Sequence, residues 1–189
     1  FVMLGLFTLT PQGIVGGIIQ MVNHGLSTGA LFLMVGILYE RRHTRLIEEF
    51  GGLWKVVPAF SVLFLIVSLS SLGLPGLNGF VGEFLILVGV FQVNKTWAVL
   101  ATTGIVFAAV YVLWMFQRVM FGEITRDANR RLEDLTVREW AVLVPVLAFI
   151  FWIGIYPVAF TGMTEASVQA LIAQVQAKTA AEGPIQWPV

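Results

Sequence analysis

In a chain where 58% of the residues are hydrophobic and 12% are charged, one carboxylate stands apart from other charges: Glu83, within SSLGLPGLNGFVGEFLIL at residues 70–87. An ionisable group kept among apolar residues at membrane depth is costly, and it marks a proton or ion path by default. Glu83 is therefore the first candidate for taking up and releasing protons. His24 is the second, because imidazole exchanges its proton near neutral pH. Gln20, His24 and Thr28 follow one another at intervals of four, and Ser27 lies three beyond His24, so a helix places all four on one stripe. Hydroxyls and amides on that stripe would order water beside the imidazole. At a rise of ~1.5 Å per residue, His24 falls roughly 15 Å below Ile14, near the middle of a bilayer. Two plainer readings compete: an acid that pairs with a base to lock helices, and a histidine that only packs.

The elements that must position these residues are membrane helices. With 189 residues and a mean hydropathy of +0.88, the chain lies far from the balance of a soluble domain and reads as an all-α integral membrane protein. Eleven Lys and Arg balance eleven Asp and Glu, so net charge points to neither nucleic acid nor an acidic substrate. There is no cysteine, and hence no disulfide framework, no thiol chemistry and no thiolate site for zinc or iron–sulfur clusters. Neither a metal site nor electron transfer is expected within this chain. No phosphate-binding glycine loop, nucleophile–base pair or dinucleotide fingerprint is present.

A hydrocarbon core of ~30 Å takes about 20 apolar residues to cross. Four segments meet that length, at about 14–39, 58–91, 97–121 and 140–160, and the whole of 1–189 forms one bundle with no soluble domain between spans. The first nine residues read as the end of a helix begun upstream, without a signal peptide's basic region or cleavage site. We expect the chain to be the C-terminal piece of a longer protein. The second span is too long for one straight crossing. Gly73, Pro75, Gly76 and Gly79 predict a break near 73–79, between half-helices at about 58–72 and 79–91, with Asn78 in the irregular stretch. Broken helices build ion sites in transporters, and Glu83 would fall in the first turn of the second half, where the helix dipole favours negative charge.

Arg41, Arg42, Arg45 and Lys55 surround the first long loop, and Arg118, Arg126, Arg130, Arg131 and Arg138 surround the second. Two spans separate these loops, so they share a side, which the positive-inside rule makes the cytoplasm; the opposite connections hold Lys95. Loops 40–57 and 122–139 are thus expected to be cytoplasmic. His43, among its arginines, reads as solvated or in contact with lipid headgroups, and Arg118 as snorkelling to the interface. Trp97, Trp140 and Trp152 read as interfacial anchors. In the tail, Thr164 and Glu165 suit a helix start, and Val168, Leu171, Ile172 and Val175 recur at helical spacing. This predicts a short amphipathic helix at about 164–181, on the outer membrane surface or on a partner.

The motifs HGLSTGALFLMVGILYERRHTR, EEFGGLW and LGLPGLNGFVGEFLIL, in that order, closely resemble the chain M family (chain 4 in mitochondria) of NADH-quinone oxidoreductase, respiratory complex I. The resemblance covers nearly the whole chain and is weakest in the tail. It implies one antiporter-like subunit among several in a membrane arm, built from inverted five-helix repeats, each with a broken helix. It implies that His24 belongs to a central proton relay and that Glu83 is the acid on the broken helix, facing an outlet. NADH, FMN, iron–sulfur clusters and quinone would reside on other subunits, and the partners would be other membrane-arm subunits and the bilayer. Part of the relay would lie upstream of Phe1. Related subunits of multisubunit cation/proton antiporters and membrane-bound hydrogenases share these features. A passive bundle that anchors neighbours is a further reading, in which neither His24 nor Glu83 matters to activity.

Overall fold

Seven α-helices carry the chain in a computed structural model that describes residues 1–182. They are α1 (Val2–Leu6), α2 (Pro11–Arg42), α3 (Pro58–Ser71), α4 (Asn78–Val93), α5 (Lys95–Met120), α6 (Val137–Ile155) and α7 (Val158–Glu182). No strand occurs among the described residues. Helices α2, α5 and α6 are each long and apolar enough to cross a membrane. At 14 and 16 residues, α3 and α4 are each too short alone and together make one interrupted crossing.

Local signals set the boundaries. Pro11 opens α2 in the position where its missing N–H costs nothing, and the Thr10 hydroxyl accepts from the Gly13 N–H at 3.1 Å. The helix stops at His43, whose φ of 54° leaves the right-handed region. Asn94 caps α5 by accepting from the Trp97 N–H, and Thr136 with Glu139 forms a capping box at the start of α6. Helix α3 lacks a cap of its own in sequence. Its first N–H groups, those of Ala59 and Phe60, instead donate to the Asp134 carboxylate at 2.8 and 2.9 Å.

The two long loops meet at one end of the bundle. Arg42 donates to the Asn129 side chain at 2.6 Å, Asn129 donates to the Glu49 carbonyl at 3.0 Å, and Arg126 pairs with Glu49 at 2.9 Å. Arg41 pairs with Glu139 at 2.8 Å. Beneath them lies the main core, where Phe60, Phe64 and Phe116 stack in series beside Met34, Leu53, Met120 and Leu143.

Helix α2 packs most extensively on α4, through small residues. A Cβ at Gly89 would sit 2.6 Å from the Gly13 backbone, so the two helix backbones touch there. Gly89→Ala is expected to pry them apart and cost about 1–3 kcal/mol, read as a lower unfolding temperature in detergent. Gly29→Ala, with nothing within 4 Å of its Cβ, should be neutral or slightly stabilising.

The chain departs from the sequence expectations in three places. The last span ends at Ile155 rather than near 160, because Pro157 removes a backbone donor and holds Tyr156 out of the helical region at φ −129°, ψ 65°. The helix that follows starts at Val158 rather than Thr164, and Thr164 lies inside it, its hydroxyl bonded to the Thr161 carbonyl. Val168 packs against Ile14 and Val15 of α2, with Ile172 partly buried beside it, while Leu171 faces outward. Helix α4 begins at Asn78, so Glu83 lies beyond its first turn and gains less from the dipole than expected.

Candidate functional site

The interruption between α3 and α4 is built from two successive turns. Leu72 ends α3, Gly73 follows in the left-handed region at φ 70°, and the N–H groups of Gly73 and Leu74 donate back to the carbonyls of Ser70 and Leu69. That is a Schellman stop, which needs a residue free to adopt positive φ. Leu74 to Leu77 then closes a β-turn, with a 3.0 Å bond from the Leu77 N–H to the Leu74 carbonyl. Pro75 and Gly76, the latter at φ 92°, occupy its central positions, as a type II turn requires. Gly79 sits so close under the Ser70 carbonyl that a side chain there would collide with it.

A buried polar clasp ties this interruption to the middle of α2. Asn78, the first residue of α4, is fully buried, and its amide group donates to the Asn23 carbonyl at 3.3 Å and to the Ser27 hydroxyl at 3.2 Å. Asn23 returns the contact, donating to the Asn78 backbone carbonyl at 2.7 Å. Ser27, which accepts from that amide, donates to Ser70 at 2.7 Å, and the Ser70 hydroxyl donates to the Asn78 side-chain oxygen, closing a ring. At membrane depth these backbone and side-chain groups have no solvent to bond, so the clasp is what makes a broken helix tolerable there.

Beside the clasp opens a cavity of about 650 Å³. Gln20, Asn23, His24, Ser27 and Thr28 of α2 line it, together with Ser70 and Ser71 at the end of α3, Glu83 of α4 and Tyr111 of α5. The two titratable candidates are thus brought to one cavity, whose remaining walls, Leu31, Ile105, Val112 and Met115 among them, are apolar. Glu83 is half-buried and makes no hydrogen bond or ion pair among the described residues. Its carboxylate occupies the space that a side chain at Gly73 would need, so the glycine that stops α3 also makes room for the acid of α4. His24 is exposed at the cavity's edge rather than enclosed within the described chain. Gln20 reaches α4 where Gly82 lacks a side chain, and accepts from Asn23 at 3.4 Å. A larger cavity of about 820 Å³ between α2 and α6 has mostly apolar walls and meets charged residues at its loop end alone, so it offers no comparable chemistry.

Asn78 and Ser27 hold the clasp rather than face Glu83 directly, and Thr28 lines the cavity. Asn23 and Ser70 complete the clasp, although the sequence reading passed over both. Asn23 carried a usable signal, as a primary amide in an apolar span four residues before Ser27.

A broken crossing clasped to a neighbouring helix, with a titratable pair beside it, defines an antiporter-like membrane bundle. The chain belongs to the NADH:quinone oxidoreductase/Mrp antiporter transmembrane family, whose model matches residues 1–108. It is 43% identical over 172 residues to the NADH-quinone oxidoreductase subunit M of Rhodobacter capsulatus, covering 91% of this chain and 34% of that one. It is 43% identical over 160 residues to the NADH-ubiquinone oxidoreductase chain 4 of Chondrus crispus, covering 85% and 32%. The chain therefore spans about a third of the length of the curated relatives it matches. Among solved structures it is similar to a chain of respiratory complex I from Thermus thermophilus with bound NADH, at TM-score 0.85 and 34% identity over 91% of this chain and 36% of that one. It also shares its fold with a chain of the Mrp complex from Dietzia sp. DQ12-45-1b, at TM-score 0.76 and 20% identity over 96% and 42%.

Proposed function

We propose that this chain forms part of a proton-translocating membrane-arm subunit of an NADH-quinone oxidoreductase. The observation that carries the reading is the shared cavity, which Glu83 and His24 both line beside a broken helix. Glu83 takes up a proton in its half-buried position and releases it toward the side the cavity faces. His24 passes protons between that cavity and neighbouring polar groups, with Gln20, Ser27 and Thr28 ordering water around it. The driving free energy arrives electrostatically from redox chemistry elsewhere, since NADH, FMN, iron–sulfur clusters and quinone belong to other subunits. The partners are further membrane-arm subunits, and the membrane is the bacterial inner membrane, with loops 40–57 and 122–139 on the cytoplasmic side. The concentration of arginines at the end where those loops meet supports that orientation.

A second reading, as an antiporter-like subunit of a multisubunit cation/proton antiporter, is favoured by the fold shared with the Mrp complex chain. Tagging the protein, extracting its assembly in mild detergent and running a native gel stained for NADH oxidation separates the two. Comigration with the NADH-oxidising band and its peripheral subunits, identified by mass spectrometry, is the expected result. Migration with a complex that lacks redox subunits would transfer the same residues to a cation/proton pathway.

A further inference from the structure

Most arginines at the loop end of the bundle are neutralised locally. Arg41, Arg42, Arg126, Arg130 and Arg138 each have a carboxylate within 4.0 Å. Arg45 and Arg118 have none among the described residues, yet both are held in place. The Arg118 guanidinium stands 4.8 Å over the Trp114 ring and that of Arg45 stands 4.7 Å over the Tyr39 ring. Stacking restrains a guanidinium while leaving its in-plane N–H donors free. Both arginines line one pocket of about 450 Å³, with Leu46, Ile47, Glu48 and Trp114. Arg131 also lacks an ion pair, but it opens onto a different pocket.

We propose that Arg45 and Arg118 bind the phosphodiester of an anionic phospholipid whose acyl chains lie along α5. Arg118 is in the last turn of a helix long and apolar enough to span the membrane, so the pocket sits where headgroups meet the hydrocarbon. Below it, Trp114, Val110 and Phe107 follow one another along one side of α5, exposed by 50%, 63% and 70%. Two planar donors above an apolar track match a phosphate above acyl chains. The pocket contains one carboxylate, Glu48, which is exposed and unpaired among the described residues, leaving a net positive charge. Glu48 would repel the same phosphate and weaken the site.

The test is photo-crosslinking in nanodiscs, with the protein in its native assembly. Phosphatidylcholine discs carry a minor fraction of either photoreactive phosphatidylglycerol or photoreactive phosphatidylcholine, and the labelled peptides are read by mass spectrometry. Phosphatidylglycerol is expected to label the Phe107–Arg118 segment in preference to phosphatidylcholine. The Arg45→Gln, Arg118→Gln double variant should reduce that labelling roughly tenfold or more. Arg131→Gln should leave it unchanged, and Glu48→Gln should raise it. Equal labelling by both lipids, or unchanged labelling in the double variant, overturns the proposal. So does suppression by inorganic phosphate, which would identify a small-anion site, or crosslinking of an acidic neighbouring protein in place of lipid. The readout involves no proton flux, so it stands or falls separately from the proposed transport role.

Discussion

Glu83→Gln is expected to lower proton translocation roughly tenfold or more while the protein still folds and assembles. The size follows from what a positioned acid–base group contributes to proton transfer, commonly about 10²–10⁴-fold, reduced where water in a wide cavity offers a bypass. The preserved fold follows from the surroundings. Among the described residues the carboxylate has no ion pair and no hydrogen bond to lose, and glutamine fills the same space over Gly73. Replacing a half-buried charge with a neutral amide also removes a desolvation cost, so the unfolding temperature should hold or rise slightly. The measurement is acidification of proteoliposomes by the reconstituted assembly, normalised to NADH oxidised. Unchanged protons per NADH in the variant would rule out Glu83 as a carrier and leave the passive-bundle reading in its place.

The broken crossing was legible because glycine and proline act locally. The run from Gly73 to Gly79 uses positive φ, the fixed φ of proline and a missing side chain at set positions, and those features are written in residue types. The polar stripe on α2 was legible for the same reason, since helical spacing alone puts Gln20, His24 and Thr28 on one side. What spacing could not provide was the distinction between facing the cavity and facing the clasp. Ser27 lines the cavity beside Thr28, yet its hydroxyl is taken up by Ser70 and Asn78, because one residue along α2 turns the side chain by about 100°. The end of the fourth span was misplaced because apolar residues continue through Phe160. Composition cannot see that Pro157 separates α6 from a further helix that begins at Val158. Asp134, which caps α3 from 75 residues away, has no signature in the sequence near Ala59.

Asn78→Ala is expected to produce the other large effect, and of a different kind. The substitution deletes a buried amide bonded to Asn23, Ser27 and Ser70, leaves the clasp partly unmatched and opens a cavity at the start of α4. Unsatisfied buried groups cost about 1–3 kcal/mol each and lost packing adds to that. The remaining Ser27–Ser70 bond offsets part of it, giving about 3 kcal/mol in all. Hydrogen bonds between helices within membranes are individually weaker, so the Ser27–Asn78 coupling in a double-mutant cycle should come to about 1 kcal/mol. Because α4 carries Glu83, loosening its first turn displaces the acid from the cavity it shares with α2. Stability and proton translocation should therefore fall together in Asn78→Ala, whereas Glu83→Gln separates them. If Asn78→Ala unfolded at the unchanged temperature in detergent, the clasp would not be what holds the broken helix, and the weight would shift to the glycine contacts between α2 and α4. Equal loss of stability in both variants would instead make Glu83 a structural residue. The pair of substitutions thus assigns one residue to holding the interruption and the other to using it.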